Sequence, residues 1–454
     1  MNLYLHVEIA ARELDSKLLL ATVAAARGHT ALVADKPSLL LGIQTGLLSP
    51  GVFHTKSLTP SQSKLSRHQD LADRGFAVTS IDEEAGLIDH GYEAFAKSRY
   101  SNKSIDQAAA VFGWGEEDTE TLRRLYPQHS TKIHGTGSPR ADLWRSQFNL
   151  FWGKPKGVPK RPFILVASNM GMPLRPFHES IRSEREAGYF ERDPRGLEDR
   201  FSWAAENYLL TYEFVKAIEY LSSNSSGFDI VLRPHPVEDI ESWNVFLAGM
   251  PHVHVVREDS ISAWVNHAFA IMHNGCTTAL EATISGKPVI TYLPFAQKFQ
   301  MELPNSLGYR VKTRDELLGA VKSVFESSSN NLESSSQAYP ASITKKVLIE
   351  PNRLAAENII QVWEGLNTSK LSQPNHWGRF ERHIKLHALK RKVKGVLRDV
   401  LGANYPQETV NHKFPPMDEQ DICRRVVRLQ KVLGITEPLE CKLLAERVVR
   451  ITKK

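Results

Sequence analysis

Cysteine is nearly missing from this chain: Cys276, Cys423 and Cys441 are its only three in 454 residues. They stand far apart and form no CxxC pair, which argues against a disulfide framework or a thiolate zinc site and fits a reducing compartment. No apolar run approaches the roughly 20 residues that a membrane-spanning helix needs. The N-terminus, MNLYLHVEIAARELD, meets charge too early for a signal peptide, so a cytoplasmic location is expected. There is no GxxxxGKS/T, no HExxH and no GxSxG, and the histidines are scattered without metal-ligand spacing. P-loop kinase, zinc-hydrolase and α/β-hydrolase chemistry therefore find no support. No metal and no cofactor are expected. Repeats of about 20–50 residues are also missing, which sets solenoids and propellers aside.

What is present is a soluble globular composition, 41% hydrophobic and 24% charged. The length suggests two cores and an appendage. The net charge of +6 is local. Between Trp377 and Leu401 stand Arg379, Arg382, Lys385, Lys390, Arg391, Lys392, Lys394 and Arg398 against only Glu381 and Asp399, which accounts for the whole excess. The remainder is near neutral and offers no nucleic-acid groove.

Strand-like runs alternate with helical patterns. NLYLHVEI, HTALVAD, GFAVTSIDEE, QAAAVFGWG and STKIHGTGS read as strands or strand ends, and LDSKLLLATVAAARG as a helix stopped by Gly28. After a Gly/Pro/Lys-rich linker at Gly153–Pro162, a second set begins with FILVAS and continues through FDIVL, HVHVV, AFAIMH and PVITYL. This alternation predicts an α/β fold: two Rossmann-like doubly wound domains facing a cleft, with a helical C-terminal extension. The expected boundaries are 1–152, 162–366 and 374–454. In the last part, CKLLAERVVRI reads as a small helix.

Ligands of open α/β sheets bind beyond the carboxyl ends of strands, and the unusual polar clusters fall there. Arg233 and His235, in FDIVLRPHPVED, are fixed by flanking prolines, as suits a phosphate site; the plainer alternative is a turn with Arg233 paired to Glu238 or Asp239. In AIMHNGCTTALEA a strand ends at His273-Asn274-Gly275. Gly275 would let a ligand approach, Asn274, Thr277 and Thr278 would donate, and Glu281 would accept from ribose hydroxyls; ordinary capping by Asn274 or Thr277 is the alternative. Asp82-Glu83-Glu84 closes a strand with three mutually repelling acids, which can raise one pKa and yield a general base. Glu8, Arg12, Glu13, Asp15 and Lys17 crowd the first strand-to-helix junction, where Glu13 or Asp15 could orient a hydroxyl, or Asp15 could cap the helix. GTGSPRADLW reads as a turn opening a helix, with Arg140 near the cleft, and Ser168–Gly171 as a loop over a ligand.

The segments YLHVEIAARELDSKLLLATVAAARGH, DEEAGL, GTGSPRADLW, RPHP and HNGCTTALEATISGKPVITY together resemble bacterial surface carbohydrate biosynthesis proteins, over most of the first 365 residues. The resemblance implies a GT-B glycosyltransferase of capsule or lipopolysaccharide assembly, similar to enzymes that transfer ulosonic acids (Kdo, sialic or pseudaminic acid) from CMP-activated donors. Bacterial sialyltransferases carry an acidic pair followed by glycine, the base, and a His-Pro motif that meets the CMP phosphate. His235-Pro236 matches the second. Glu83-Glu84 matches the first, except that Ala85 stands before Gly86, so Glu83, Glu84, Glu13 and Asp15 all stay candidates for the base. By the same resemblance Arg233, Asn274, Thr277, Thr278 and Glu281 would hold the nucleotide. A CDP-glycerol-type polyol phosphotransferase and a non-catalytic glycan assembly protein are the alternatives. The expected partners are a nucleotide-sugar donor, a glycan or lipid-linked acceptor and an anionic membrane surface met by the basic amphipathic segment 377–401, with no nucleic acid.

Overall fold

The apolar run NLYLHV forms strand β1 (Asn2–Val7), buried at every position. The computed structural model describes residues 1–89, 91–170, 177–186, 188, 190, 195–224, 227–236, 238–329, 339–366, 373–400 and 413–454, with backbone alone for 390–400. Contacts divide the chain into two units, Met1–Leu143 with Pro340–Lys454, and Trp144–Tyr339.

In the first unit, β1 is followed by β2 (Thr30–Asp35), β3 (Val52–Thr55), β4 (Ala77–Ile81), β5 (Ala110–Gly113) and β6 (Ile133–Gly135). These six run parallel in the order 2-1-3-4-5-6. Helices α1 (Ala10–Ala26), α2 (Lys36–Gln44), α3 (Gln62–Asp73) and α4 (Tyr92–Arg99) connect and cover them. α1 is apolar around most of its circumference because it lies in the interior, packed by the helices Ala355–Gly365 and Glu419–Leu433 as well as the sheet. It ends as expected at Gly28, whose φ of +84° belongs to the left-handed region that glycine enters without strain.

The second unit holds β7 (Phe163–Ala167), β8 (Asp229–Arg233), β9 (Val253–Val255), β10 (Ala270–His273), β11 (Val289–Tyr292) and β12 (Tyr309–Val311). All are parallel, in the order 12-11-10-7-8-9, the doubly wound Rossmann arrangement. Ile164, Val166, Ile230, Leu232, Ala270, Met272 and Ile290 pack against Phe214, Ile218 and Leu221 of the Gly196–Asn224 helix. The chain thus carries two α/β units, each built on a parallel sheet, as expected.

The C-terminal segment departs from the expectation. It carries the helices Trp377–Val400 and Glu419–Leu433, but CKLLAERVVRI is not helical. It forms β13 (Leu439–Ala445) and β14 (Val448–Lys453), a hairpin whose second strand pairs antiparallel with β2. The spacing of Leu443, Leu444, Val448, Val449 and Ile451 fits a helix as well as two strands. The otherwise open edge of β2 decides the matter, because pairing satisfies its backbone groups. Residues 340–366, expected with the second domain, likewise belong to the first unit: the carboxylate of Asp142 accepts the amides of Ala355 (3.1 Å) and Ala356 (3.0 Å). The linker expected at Gly153–Pro162 lies inside the second unit.

Candidate functional site

In the first sheet the strand order reverses between β1 and β3, and the carboxyl ends of β1, β3 and β4 carry most of its buried charge. α1 starts at Ala10, directly after β1, so Glu13 falls in its first turn and accepts the backbone N–H of Glu8 at 2.8 Å. Glu13 is fully buried, 3.3 Å from Arg12 and 3.9 Å from Lys56. Burial raises its pKa, and the charge of Glu83 adds to the rise. Asp82 follows β4, accepts the amide of Glu84 at 3.1 Å and lies 3.6 Å from Arg99. Its carboxyl is pushed up to about 6, first by burial, with only small additions from Glu84 and Glu83. One member of the acidic triad thus has a raised pKa, and burial rather than mutual repulsion is the main cause.

The other acids are differently placed. Glu83 forms an ion pair with Lys17 at 2.7 Å, with both side chains buried. The two oxygens of Glu84 are taken by Arg12 at 2.9 Å and Arg99 at 2.5 Å. Both stand in the cluster as partners of cations. Asp15 is not part of it. Because α1 begins at Ala10, Asp15 does not cap the helix, and its position two residues past Glu13 turns it about 200° around the axis. There it binds Arg425 of the Glu419–Leu433 helix at 2.9 Å. Gly86 has its own reason: a Cβ there would stand 2.4 Å from Trp114, whose indole N–H donates to the Asp82 carbonyl at 2.8 Å. Ser138 opens the helix Pro139–Asp142 as expected, and Arg140 reaches the Glu83 carbonyl at 3.4 Å.

In the second sheet the order reverses between β7 and β10. The loops after these strands are tied together by Asn169, whose side-chain amide donates to the Gly275 carbonyl at 2.9 Å. Glu238, buried, accepts from the Ser168 hydroxyl and the Met170 amide, each at 2.5 Å, and from the Trp243 indole at 2.9 Å. The RPHP turn thereby fixes the loop after β7; Gly171 lies outside the described residues. Half-buried His235 stands on this turn, its carbonyl accepting the Glu238 amide at 2.8 Å. Arg233 does not pair with Glu238 or Asp239. Its guanidinium donates to the carbonyls of Glu258 (2.5 Å) and Asp259, and burial brings its pKa down to about 10. It braces the loop after β9.

The strand-to-helix turn after β10 is more structural than its sequence suggests. Thr291 donates its hydroxyl hydrogen to the Leu307 carbonyl at 2.7 Å, so its oxygen accepts Nε2–H of His273 at 3.0 Å. Nδ1 of His273 is then the bare nitrogen and accepts the Cys276 amide at 3.4 Å. Burial lowers this imidazole to about 3, so it is neutral. Asn274 donates to the Tyr292 carbonyl (2.8 Å) and does not cap the helix Thr278–Ile284. Nor does the side chain of Thr277, which occupies the N-cap position and stays partly exposed. Gly275 adopts φ +62°, and its amide goes to Asn305 at 2.7 Å. The glycine is required by conformation: an added Cβ would meet Met301 at an ordinary 3.7 Å. The Thr278 hydroxyl accepts from the Cys276 thiol at 3.2 Å, and Glu281 is buried one turn into the helix.

The reading of Ser168–Gly171 as a loop over a ligand takes in Asn169, whereas nothing in the sequence marks Glu238 or Asn305 as site residues. Among the described residues no group of three or more His, Cys, Asp or Glu is arranged to hold a metal ion, and no helix is long and apolar enough to cross a membrane.

No protein-family model matches the chain, and no curated protein does. Solved structures with a similar layout include UDP-GlcNAc 2-epimerase from Methanocaldococcus jannaschii (12% identity, 80% of this chain and 100% of that one, TM-score 0.48). The UDP-GlcNAc 2-epimerase from Neisseria meningitidis bound to UDP-GlcNAc has 11% identity, with 80% and 100% covered and a TM-score of 0.45. The catalytic domain of starch synthase IV from Arabidopsis thaliana, bound to ADP and acarbose, has 12% identity, 74% and 76% coverage and a TM-score of 0.31. Likeness at this level says nothing about the reaction.

Proposed function

We propose that this chain is a glycosyltransferase of bacterial surface polysaccharide synthesis that moves an ulosonic acid from a CMP-activated donor to a glycan acceptor. The observation that carries the reading is the buried acid cluster at the carboxyl edge of the first sheet, where Asp82 is held at about 6 and Glu13 is raised beside it. A carboxylate in that range can accept a hydroxyl proton near neutral pH, which an ordinary exposed aspartate does poorly. The second unit supports the reading with a doubly wound sheet whose reversal point is lined by Asn169 and the turn after β10.

In this reading the acceptor hydroxyl loses its proton to Asp82 or Glu13. Its oxygen forms a bond to the anomeric carbon of the donor. The bond from that carbon to the phosphate oxygen breaks, and CMP leaves with the electron pair. His235 meets the departing phosphate, and Arg233 positions the neighbouring loop through its carbonyl contacts. Thr277, Thr278 and Glu281 remain on the nucleotide side. In this reading the Trp377–Val400 helix meets an anionic membrane through Leu386 and Leu389, exposed near Arg382 and Lys385, while Phe380 and Ile384 of the same helix are buried in the protein itself. Arg379 is exposed at the start of the helix, and Lys390, Arg391, Lys392, Lys394 and Arg398 lie where side chains are not described.

Calorimetric titration with CMP, CDP and UDP tests the donor assignment. CMP is expected to bind most tightly, and His235→Ala to weaken it by about tenfold, equivalent to about 1.4 kcal/mol. No CMP binding by the native protein would overturn the assignment. Co-sedimentation with anionic and neutral vesicles tests the membrane contact; equal partition into both would remove it.

A further inference from the structure

The reversal point of the first sheet holds a second feature, which shares only Lys56 with the acid cluster. Beyond β1 and β3 lies a narrow hollow, partly open to solvent, lined by His6, Glu8, Lys36, Lys56, Lys64 and Arg67 among others. The four cations come from three elements: Lys36 opens α2, Lys56 follows β3, and Lys64 and Arg67 lie one turn apart on α3. Glu8 is the single carboxylate in the lining; Lys56 reaches it at 3.1 Å and Lys413 approaches at 3.7 Å. Among the described residues no carboxylate comes within ion-pair distance of Lys36, Lys64 or Arg67; Lys64 donates only to the Ser57 hydroxyl, at 3.2 Å.

Half-buried like charges repel, and the surroundings register it. Lys36 is lowered by burial and then by Arg67, and Lys64 by burial and then by Lys56. His68, against the same wall, is brought down to about 4 by burial and by Arg67, Lys64 and Lys36, and so adds no charge of its own. Four cations against one carboxylate leave a surplus of three. A surplus of that size suits a dianion better than a single carboxylate, and one guanidinium fork with mobile ammonium groups suits tetrahedral oxygens.

We propose that this hollow binds a phosphate-type oxyanion, a phosphate mono- or diester on the molecule that the first unit takes. Lys56, which lies 3.9 Å from Glu13, joins the hollow to the acid cluster, so the oxyanion sits beside the hydroxyl to be deprotonated. Oxyanion binding stands without the transfer reaction; its place on the acceptor rests on that reaction.

The probe is inorganic phosphate, titrated into the full chain by calorimetry and thermal shift, with chloride holding ionic strength constant. Saturable binding is expected, weakened at least tenfold in Lys36→Ala/Arg67→Ala and unchanged in His235→Ala. The milder Lys64→Gln/Arg67→Gln pair, on the outer helix α3, repeats the measurement should the first variant fold poorly. CMP affinity should be unaffected in both. Non-saturable binding by the native chain, or an affinity within twofold of native in the folded variants, overturns the proposal. Loss of the phosphate site in His235→Ala alone places the ion in the second unit and overturns it equally. Absent CMP binding with phosphate binding intact would reject the donor assignment and leave this site standing.

Discussion

At the scale of residues, the acid cluster makes an electrostatic prediction with a definite sign. The unfolded Asp82 carboxyl titrates near 3.8 and the folded one at about 6, so between these values the folded chain holds the extra proton. The contribution of Asp82 to stability is complete below 3.8 and is lost as pH rises through 6. Asp82→Asn should therefore stabilise the protein at pH 7, by at most on the order of 3 kcal/mol, and abolish transfer where Asp82 rather than Glu13 takes the hydroxyl proton. Urea unfolding at pH 4 and pH 7 checks this; a variant losing as much stability between them as the native chain would contradict it. Asp118, raised to about 6 by its own burial, accounts for a slope that persists. Substitution within the Lys17–Glu83 ion pair should destabilise instead. Glu83→Gln leaves a buried ammonium without its counter-charge and should cost about 3 kcal/mol, whereas Lys17→Met/Glu83→Leu should cost less than the two single changes together, in a double-mutant cycle. An additive result would mean that the two charges do not act as a pair. The sequence places the 82–84 triad at a strand end and Glu13 at a strand-to-helix junction, and the structure has them there. It could not rank them, because the ranking depends on which carboxylate a distant cation reaches: Lys17 takes Glu83, Arg12 and Arg99 take Glu84, and Asp82 is left with the raised pKa.

At the scale of elements, long apolar runs were legible and short ones were not. NLYLHV and FILVA read as strands because their burial is continuous. Strand β3, only VFHT, carries too little periodicity to register, although it borders the reversal point and the cationic hollow. The hairpin β13–β14 failed for the reason its environment supplies: an open strand edge is a property of the fold, invisible in CKLLAERVVRI itself. Its importance is testable. Val449 is buried and sits in register with Val33, so Val449→Asp places a charge where none can be solvated. It should lower Tm by several degrees and expose the edge of β2, seen as concentration-dependent association in sedimentation. A monomeric variant with unchanged Tm would show that the hairpin is dispensable.

At the scale of the molecule, the first unit is discontinuous. Met1–Leu143 lacks the helices that cover α1 and the strand that completes its sheet, all of which come from Pro340–Lys454. A fragment of residues 1–143 alone should therefore show little cooperative unfolding by circular dichroism, and adding 340–454 in trans should restore it. A cooperative transition in the fragment by itself would refute this. The two-core prior, drawn from length, had no access to such an arrangement, because composition does not reveal a chain that leaves a sheet and returns. The pairing of β2 with β14 has a consequence in time. Thr30 and Thr452 touch through their hydroxyls across 422 residues. A ribosome adding about 5–20 residues per second needs about 20–80 seconds to make that stretch. Throughout it β2 waits with one flank bare, an edge open to pairing with other chains until the last residues are made.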